Sequence, residues 1–294
     1  MVEVTPSLDR AARDDVVALL ARVAAHDGVA AVGEAGLLRL RGSATGVEPV
    51  IHLRAFSPDG FLAGYAWSDG ASAELAVDPA CRRHGHGTAL LRTLRTRDPG
   101  VAVWSHGALA PARALAEREG LRVVRALWQM AWTPSTAPLG EAPPLPAGLR
   151  VRPFSGSADG PDGHAWVALN ARIFATHPEQ GRLTVADLAA RMAEPWFHHD
   201  MFLLVTDTTG ALVAYLWLKA EAGSDEVYVI GVAPELERRG IAAHLLHLAQ
   251  RTARERRRRA LTLYVEGDNL TAIRTYVRAG FERGSVDVQY AHPG

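Results

Sequence analysis

Two stretches of the chain are near copies of each other, LAVDPACRRHGHGTALL and IGVAPELERRGIAAHLL. When they are aligned, Val77 matches Val232 and Gly85 matches Gly240, each pair 155 residues apart. A second pair, AEREGLRVVRALWQMAW and YVRAGFERGSVDVQYAH, repeats at a similar spacing. Repetition over this length predicts a tandem duplication in which two copies, of about 140 residues each, adopt the same fold.

A proline-rich segment divides the chain near its middle. Residues 133–148, TPSTAPLGEAPPLPAG, contain five prolines and no helical or strand period, which indicates a linker. The stretches VEVTP at the start and LRVRPF after the linker alternate as strands that open a domain do. We therefore predict an N-terminal domain at 1–132, a linker at 133–148 and a C-terminal domain at 149–294.

The second half has the clearer pattern of secondary structure. Helices are predicted at 165–175 and 184–192, the second with Thr184 as its N-cap and Asp187 completing a capping box. Two apolar runs around the turn TDTTG predict a β-hairpin, and EVYVIGV predicts a central strand. A helix, a strand, a helix ending at Gly280 and a last strand that closes the same sheet follow. The order β-α-α-β-β-β-α-β-α-β predicts an α/β fold with a mixed sheet, present as two tandem domains.

Composition argues against several classes of function. The 294 residues are 48% hydrophobic and 22% charged, with a formal net charge of zero, so no global field attracts nucleic acid or a membrane. The start, MVEVTPSLDR, lacks the apolar region of a secretory signal, and a single cysteine, Cys81, rules out an internal disulfide and fits a reducing cytosol. We expect a cytoplasmic monomer that binds small molecules and has no nucleic-acid or membrane partner.

Two local patterns are explained without a function. The basic run Arg254–Arg259 lies at a predicted helix end, where cations favour the helix dipole, and no aromatic or further basic stripe accompanies it. The stretches HGHG and FHHD lack partners at metal-ligand spacing. We therefore expect neither a nucleic-acid site nor a metal site.

Lys219 is the only lysine of the chain, and every other basic side chain apart from histidine is arginine. A GC-rich genome favours arginine codons, so one surviving lysine can be chance. A site that needs a compact ammonium, however, resists replacement by the planar guanidinium. Both interpretations stay open on this argument alone, and Lys219 is a candidate functional residue.

The repeated stretch carries a phosphate-binding pattern. In each copy a buried strand is followed by a glycine-containing turn and then a helix: RRHGHG from Arg82 to Gly87, and ERRGIA from Glu237 to Ala242. Glycine lets the backbone pass close to a phosphate, and a helix N-terminus presents free N–H groups. Two copies in matching contexts predict two pyrophosphate-binding turns. The carboxylate of Glu237 is unfavourable there unless it points away from the phosphates.

Together with DNLTAIRTYVRAGF further along, this arrangement resembles the GCN5-related N-acetyltransferase (GNAT) family. In that family the glycine turn binds the pyrophosphate of acetyl-CoA, an asparagine in a later helix contacts the cofactor, and a tyrosine in that helix protonates the leaving thiolate. The resemblance implies these two roles for Asn269 and Tyr276. It also implies acetyl-CoA as co-substrate, with no metal.

Longer segments are similar to a narrower family, the mycothiol synthases, which are tandem GNAT enzymes. They are NARIFATHPEQGRLTVADLAARMAEPWF, EVYVIGV and LYVEGDNLTAIRTYVRAGF in the second half, and AAHDGVAAVGE in the first. The resemblance covers most of both halves. It implies transfer of an acetyl group to the cysteinyl amine of cysteinyl-glucosaminyl-inositol, by direct attack in a ternary complex, as the last step of mycothiol synthesis.

The resemblance also assigns roles to single residues. It implies Glu226 as the general base and Tyr276 as the general acid. The substrate contacts that it implies are Glu34, Glu179, Lys219, Glu226 and Tyr264. The cofactor contacts in the second half are Ile230, Gly231, Val232, Glu237, Arg238, Arg239, Gly240, Ile241, Ala242, Ala243, Asn269, Leu270, Thr271, Ala272, Ile273 and Arg274. Those in the first half are Leu75, Ala76, Val77, Arg82, Arg83, His84, Gly85, His86 and Gly87.

The two copies differ in the residues that would carry the chemistry. The candidate base, asparagine and acid of the second half have Ala71, Leu109 and Ala116 at the matching positions of the first. Glu74 is nearby, but three residues along a strand it faces the opposite side. We predict that the second half is catalytic and that the first binds CoA or nothing. Two alternatives stay open: a tandem GNAT that acetylates another small amine, such as an aminoglycoside, and a non-catalytic acyl-CoA sensor.

Overall fold

The computed structural model describes residues 1–41, 50–175 and 180–293. The strands within these ranges are β1 (Val2–Thr5), β2 (Ile51–Phe56), β3 (Leu62–Ser68), β4 (Ser72–Val77), β5 (Ala102–Ser105), β6 (Arg122–Trp132), β7 (Arg150–Pro153), β8 (Phe202–Thr206), β9 (Leu212–Ala220), β10 (Ser224–Val232), β11 (Ala260–Glu266) and β12 (Glu282–Ala291). The α-helices are α1 (Arg10–Asp27), α2 (Glu34–Arg41), α3 (His86–Arg97), α4 (Ala110–Arg118), α5 (Pro161–Ile173), α6 (Val185–Met192), α7 (Ile241–Glu255) and α8 (Leu270–Arg278). The predicted α/β class is confirmed.

The chain divides into two compact units that are not consecutive segments. The first unit is Met1–Leu127 together with Ser285–Gly294, and the second is Trp128–Gly284. The domain limits predicted above, 1–132 and 149–294 with a linker between them, describe the repeat along the chain and stay a prediction.

The first unit contains a sheet in the order β1-β2-β3-β4-β5-β12. Neighbouring strands are antiparallel except β4 and β5, which run parallel because α3 crosses over between them. Leu90 and Leu94 of α3 pack on one face of this sheet, and Val16 and Leu19 of α1 pack on the other. Successive side chains of β3 point to opposite faces, so this strand contributes to both cores. Burial of each leucine stabilises the folded state by about 1.5–3 kcal/mol.

The second unit repeats this plan with the end of β6 followed by β11-β10-β9-β8-β7. Here β10 and β11 are the parallel pair, and α7 is the crossover helix. Ile241 and Leu245 of α7 pack on one face, while Trp166 of α5 and Leu188 of α6 pack on the other. Along β9, Trp217 belongs to the second of these faces and its neighbours belong to the first.

The last strand has a different partner from the one predicted. We expected FERGSVDVQYA to close the sheet of the second half, but β12 pairs antiparallel with β5, with Val288 opposite Ser105 and Tyr290 opposite Val103. Conversely, β6 continues from the first unit into the second. A strand pattern specifies faces but not the neighbouring strand, and duplicated halves offer two similar edges.

The helix and hairpin predictions for the second half are confirmed. Helix α5 begins four residues earlier than predicted because Pro161 occupies its first turn. At α6, Thr184 is the N-cap and forms the reciprocal capping box with Asp187. Gly210, with φ of 85°, supplies the left-handed position in the hairpin between β8 and β9. Among the described helices, none is long and apolar enough to cross a membrane.

Candidate active site

The parallel pair of the second unit separates part-way along its length. The register between β10 and β11 ends at Val227 opposite Leu263, whereas β10 continues to Val232 and stays paired with β9 over that distance. Peptide groups of residues 229–232 on the β11 side therefore lie outside the ladder. The two strands open a cleft at the carboxyl end of β10, beside the start of α7.

A β-bulge lies immediately before this cleft. The pairing of β10 with β9 shifts register between Val227 and Val229. Tyr228 and Val229 consequently pack on the same face, with Trp217, while Val227 and Ile230 pack on the α7 face. The bulge reverses the alternation of β10 at the point where it enters the cleft.

The turn after β10 has the form of an anion-binding nest. A short 3-10 turn, Pro234–Leu236, leads into Arg238 at φ 60° and Gly240 at φ 84°. Gly240 is the N-cap of α7 and offers no side-chain cap, so the first N–H groups of this helix lack intrahelical acceptors. A Cβ placed on Gly240 would meet nothing within 4 Å, so the space above the helix end is open. Glu237 is exposed at the surface of this turn.

The first unit contains a turn of the same form. Pro79–Cys81 is followed by Arg83 at φ 67° and Gly85 at φ 89°, the N-cap of α3. The register between β4 and β5 ends at Glu74 opposite Trp104, and a cavity of about 760 Å³ fills the opening. The cavity is lined by all the predicted first-half cofactor residues except His84, and also by residues of β5, α1 and α4.

Arg82 is held in the first turn by a contact that sequence reasoning missed. Its guanidinium donates two hydrogen bonds to the carboxylate of Asp27, at 2.8 and 2.7 Å, and a third to the carbonyl of Val77 at 3.2 Å. The bidentate ion pair ties this turn to the end of α1. The second copy has the exposed Glu237 at the matching position, so the two turns differ in charge where their backbones agree.

Helix α8 carries two of the predicted residues. Asn269 is the N-cap, and its Oδ1 accepts a hydrogen bond from the backbone N–H of Ala272 at 3.1 Å. Tyr276 packs against the core that α7 covers, with its ring centroid 6.1 Å from that of Phe281. Burial raises the pKa of Tyr276 to about 12, so the phenol keeps its proton at neutral pH.

Two other predicted residues meet across the sheet. Glu226 on β10 and Lys219 on β9 are directly opposite in the antiparallel register. The ammonium of Lys219 lies 5.5 Å from the ring centroid of Trp196, 6.0 Å from that of Tyr228 and 3.4 Å from a carboxylate oxygen of Glu221. Lys219 is partly buried, and the structure joins it to the aromatic face of the sheet.

The remaining predicted residues are more scattered. Tyr264 on β11 is exposed, and its hydroxyl accepts a hydrogen bond from the side-chain amide of Gln129 at 3.1 Å. Glu34 begins α2 in the first unit. Glu179 lies outside the described residues, so its predicted role stays a prediction.

The first unit also contains a buried ionic network that the sequence did not reveal. His106 lies between two carboxylates, with Nε2 2.7 Å from Glu74 and Nδ1 2.9 Å from Asp287. Burial by itself lowers the pKa of His106, but the hydrogen bonds to Asp287 and Glu74 outweigh it and raise the pKa to about 10. Glu74 also accepts hydrogen bonds from the indole of Trp67 at 2.6 Å and the backbone N–H of Gly33 at 2.8 Å. Its carboxylate is thus fully engaged in structure.

Within residues 1–41, 50–175 and 180–293, no group of three or more histidine, cysteine, aspartate or glutamate side chains is placed so that it could hold a metal ion. Cys81, which is half-buried, forms no disulfide.

Comparisons with known proteins agree with this architecture. Residues 166–281 match the Acetyltransferase (GNAT) family. The mycothiol acetyltransferase of Sanguibacter keddieii is 44% identical, over 99% of this chain and 97% of the relative. That of Kineococcus radiotolerans is 44% identical over 95% of this chain and 92% of its own.

Solved structures show the same fold over the whole chain. A GCN5-related N-acetyltransferase from Sphaerobacter thermophilus has a TM-score of 0.71 at 25% identity, covering 100% of this chain and 96% of its own. A tandem GNAT protein from the clavulanic acid biosynthesis pathway has a TM-score of 0.70 at 20% identity, covering 99% and 98%. With its splayed strands, its two glycine turns before helices and its near full-length relatives, this chain is an acetyl-CoA-dependent N-acetyltransferase and belongs to the mycothiol acetyltransferase family.

Proposed function

We propose that the protein transfers the acetyl group of acetyl-CoA to the cysteinyl amine of cysteinyl-glucosaminyl-inositol, producing mycothiol by direct attack in a ternary complex. The observation that carries this proposal is the similarity to mycothiol acetyltransferases through both halves, at 44% identity over 99% of the chain. A shared GNAT domain alone would support acetyl transfer but not the acceptor.

The second turn suits the pyrophosphate of acetyl-CoA. Its two positive-φ positions and the unpaired N–H groups of α7 form a concave donor surface, and no side chain fills the space above Gly240. The exposed side chain of Glu237 can point into solvent, while Arg238 and Arg239 supply positive charge. The pantetheine arm then follows the opening between β10 and β11, and Asn269 at the start of α8 borders it.

Glu226 is the general base of the proposed reaction. The acceptor amine attacks only when neutral, so a carboxylate must remove its proton, directly or through a water molecule. Glu226 precedes the bulge on β10, the strand whose later peptide groups, at Ile230, Gly231 and Val232, are the proposed donors to the acetyl carbonyl oxygen as it gains negative charge.

Tyr276 is the general acid. As the new C–N bond forms and the C–S bond breaks, the sulfur of CoA leaves with an electron pair and needs a proton. The pKa of Tyr276, raised by burial to about 12, keeps the phenolic proton in place until that moment. A covalent acetyl-enzyme is disfavoured because the only cysteine, Cys81, follows β4 in the first unit.

The acceptor is a polyhydroxyl compound with an amine and a thiol. Carboxylates and an ammonium are suited to its hydroxyls and its amine, and Glu34, Glu179, Lys219 and Tyr264 are the proposed contacts. Of these, Lys219 has the firmest support, because it is the register partner of Glu226.

The first cleft is proposed to bind CoA without transferring its acyl group. Its volume of about 760 Å³ is ample for part of a cofactor, and Arg82, Arg83 and His86 line it at the phosphate turn. No residue with the roles of Glu226, Asn269 or Tyr276 occupies the matching positions, and Glu74 is fully hydrogen-bonded.

A mass-spectrometric end-point assay tests the proposed reaction. The purified chain is incubated with acetyl-CoA and cysteinyl-glucosaminyl-inositol, with an aminoglycoside in parallel. We expect a product one acetyl group heavier from the cysteinyl compound alone. Product from the aminoglycoside only, or from neither compound, would refute the proposed acceptor. Isothermal titration calorimetry with CoA then shows whether the protein binds the cofactor.

A further inference from the structure

We propose that Trp196, Tyr228 and Arg191 form an aromatic seat that positions the ammonium of Lys219 for the acceptor. The aromatic seat is defined by these three residues. It deepens the proposed function, on which it rests, by adding positioning residues to the acceptor side of the second cleft.

The rings of the seat are placed by their neighbours. Trp196 and Tyr228 have centroids 5.0 Å apart, and Trp217 lies 5.7 Å and 5.3 Å from them. Because of the bulge, Tyr228 shares a face with Val229, which keeps its ring on the Trp217 side of the sheet. The two rings therefore have little freedom to turn.

Arg191 fixes the outer end of the seat. Its Nε donates a hydrogen bond to the hydroxyl of Tyr228 at 2.8 Å, and its Nη1 donates another to the carbonyl of Asp187 at 3.0 Å. The first bond holds the phenol, and the second anchors the guanidinium to helix α6. Removing either partner of the bond between Arg191 and Tyr228 should loosen the same ring.

The aromatic seat restricts the position of the Lys219 ammonium. Lys219 is within cation–π range of both rings, and only 17% of its side chain is exposed. The carboxylate of Glu221, 3.4 Å away, is a second partner of this ammonium, whose three N–H donors are shared between the protein and the hydroxyl-rich acceptor in the proposal. Since Glu226 is the cross-strand partner of Lys219, an ammonium that is fixed here orients the acceptor relative to the base.

The single lysine makes the seat directly observable. With ¹³C-lysine incorporated biosynthetically, the Cε–H signal of the folded chain can come only from Lys219. We expect it to be shifted upfield by the two rings relative to the urea-unfolded chain. Trp196→Leu should remove most of this shift. A signal at the unfolded position in the wild type would overturn the proposal, whatever the acceptor is.

Kinetics separate positioning from structural support. Trp196→Leu should raise the KM for the acceptor about 3- to 30-fold and leave the KM for acetyl-CoA within twofold. Trp196→Phe, which keeps a ring, should recover much of the loss and serves if the leucine variant does not fold. Trp166→Phe is the matched control, because Trp166 belongs to the same aromatic cluster without contacting Lys219.

A double-mutant cycle gives the decisive outcome. If Trp196 acts through Lys219, then Trp196→Leu should have little further effect on the acceptor KM in a Lys219→Met background. The proposal is refuted if Trp196→Leu raises the acceptor KM equally in the wild type and in Lys219→Met, or if it raises the KM for acetyl-CoA by the same factor. Trp196 would then support the structure without acting through Lys219. If the wild type does not acetylate the cysteinyl compound at all, the proposed function fails, and the lysine signal still decides whether the seat exists.

Discussion

The two glycine turns that are proposed to bind pyrophosphate have nearly the same backbone and different surroundings. Arg83 and Arg238 have φ of 67° and 60°, and Gly85 and Gly240 have φ of 89° and 84°. Behind the first turn, β4 pairs with β3 without a register shift, whereas β10 bulges before the second. The two copies thus share the main-chain geometry of the turn, while their side chains and the strands before the turns differ. We infer that cofactor binding and catalysis are separable in this fold.

The largest difference in turnover is expected between variants of Glu226, before the second turn, and Glu74, before the first. Glu226→Gln removes the base and should lower kcat/KM about 10²- to 10⁴-fold, with CoA affinity unchanged in titration calorimetry. Glu74→Gln, in the first unit, should leave turnover within about threefold, because Glu74 serves the network around His106. Comparable losses of turnover in the two variants would mean that both clefts take part in the reaction.

Removing the proposed general acid, Tyr276, should lower turnover less than removing the base does. Tyr276→Phe removes the proton donor and should lower kcat about 10²-fold without changing the KM for acetyl-CoA. Because the pKa of Tyr276 is about 12, the wild-type rate should not fall through its ionisation below about pH 10. Tyr290→Phe, which alters a lining residue of the first cavity, is the control and should be near wild type. A loss of CoA binding in Tyr276→Phe would reassign this residue to cofactor binding.

The glycines provide a matched pair for the turns themselves. A Cβ meets nothing within 4 Å at either Gly85 or Gly240, and aspartate tolerates a positive φ better than most residues. Gly240→Asp places a carboxylate beside the proposed pyrophosphate and should raise the KM for acetyl-CoA about 10- to 100-fold. Gly85→Asp should instead reduce bound CoA from two equivalents to one, measured by calorimetry, with turnover changed less than threefold. One equivalent in the wild type would show that the first turn binds no CoA.

The ion pairs of His106 should make the free energy of unfolding of the first unit depend on pH. The pKa of His106 is raised from 6.5 to about 10, so the folded state holds this proton more tightly than the unfolded chain. The resulting stabilisation, on the order of 5 kcal/mol at about 1.4 kcal/mol per pKa unit, is full below pH 6.5 and is lost as pH rises through about 10. Urea unfolding between pH 6 and pH 10 should reveal this loss in the wild type and not in His106→Gln. His26→Gln, at the end of α1, is the control.

Much of this arrangement was readable from local sequence. A strand, a glycine turn and a helix are consecutive in the chain around both Gly85 and Gly240. The cap at Thr184 depends on Asp187, three residues away. Periodicity and capping are short-range signals, so they predicted the helices and the hairpin of the second half but not the partner of β12.

The parts that the sequence did not reveal depend on distant partners. His106 is 32 residues from Glu74 and 181 from Asp287, and no local pattern links them. The bulge at Tyr228 interrupts an alternation that looks continuous in EVYVIGV, so its effect on the faces of β10 was invisible. Trp196 lies in a segment that resembles the family, but no local pattern links it to Lys219, against which it packs.

The exchange of last strands has a consequence for the order in which the chain is completed during synthesis. The N-terminal unit leaves the ribosome first, yet Val103 of β5 pairs with Tyr290. At typical rates of translation, the residues after Leu127 take roughly 10–30 s to appear before β12 is available. Until then β5 lacks this neighbour, and an open strand edge invites other pairings. The half of the protein that is made first is therefore the last to be finished.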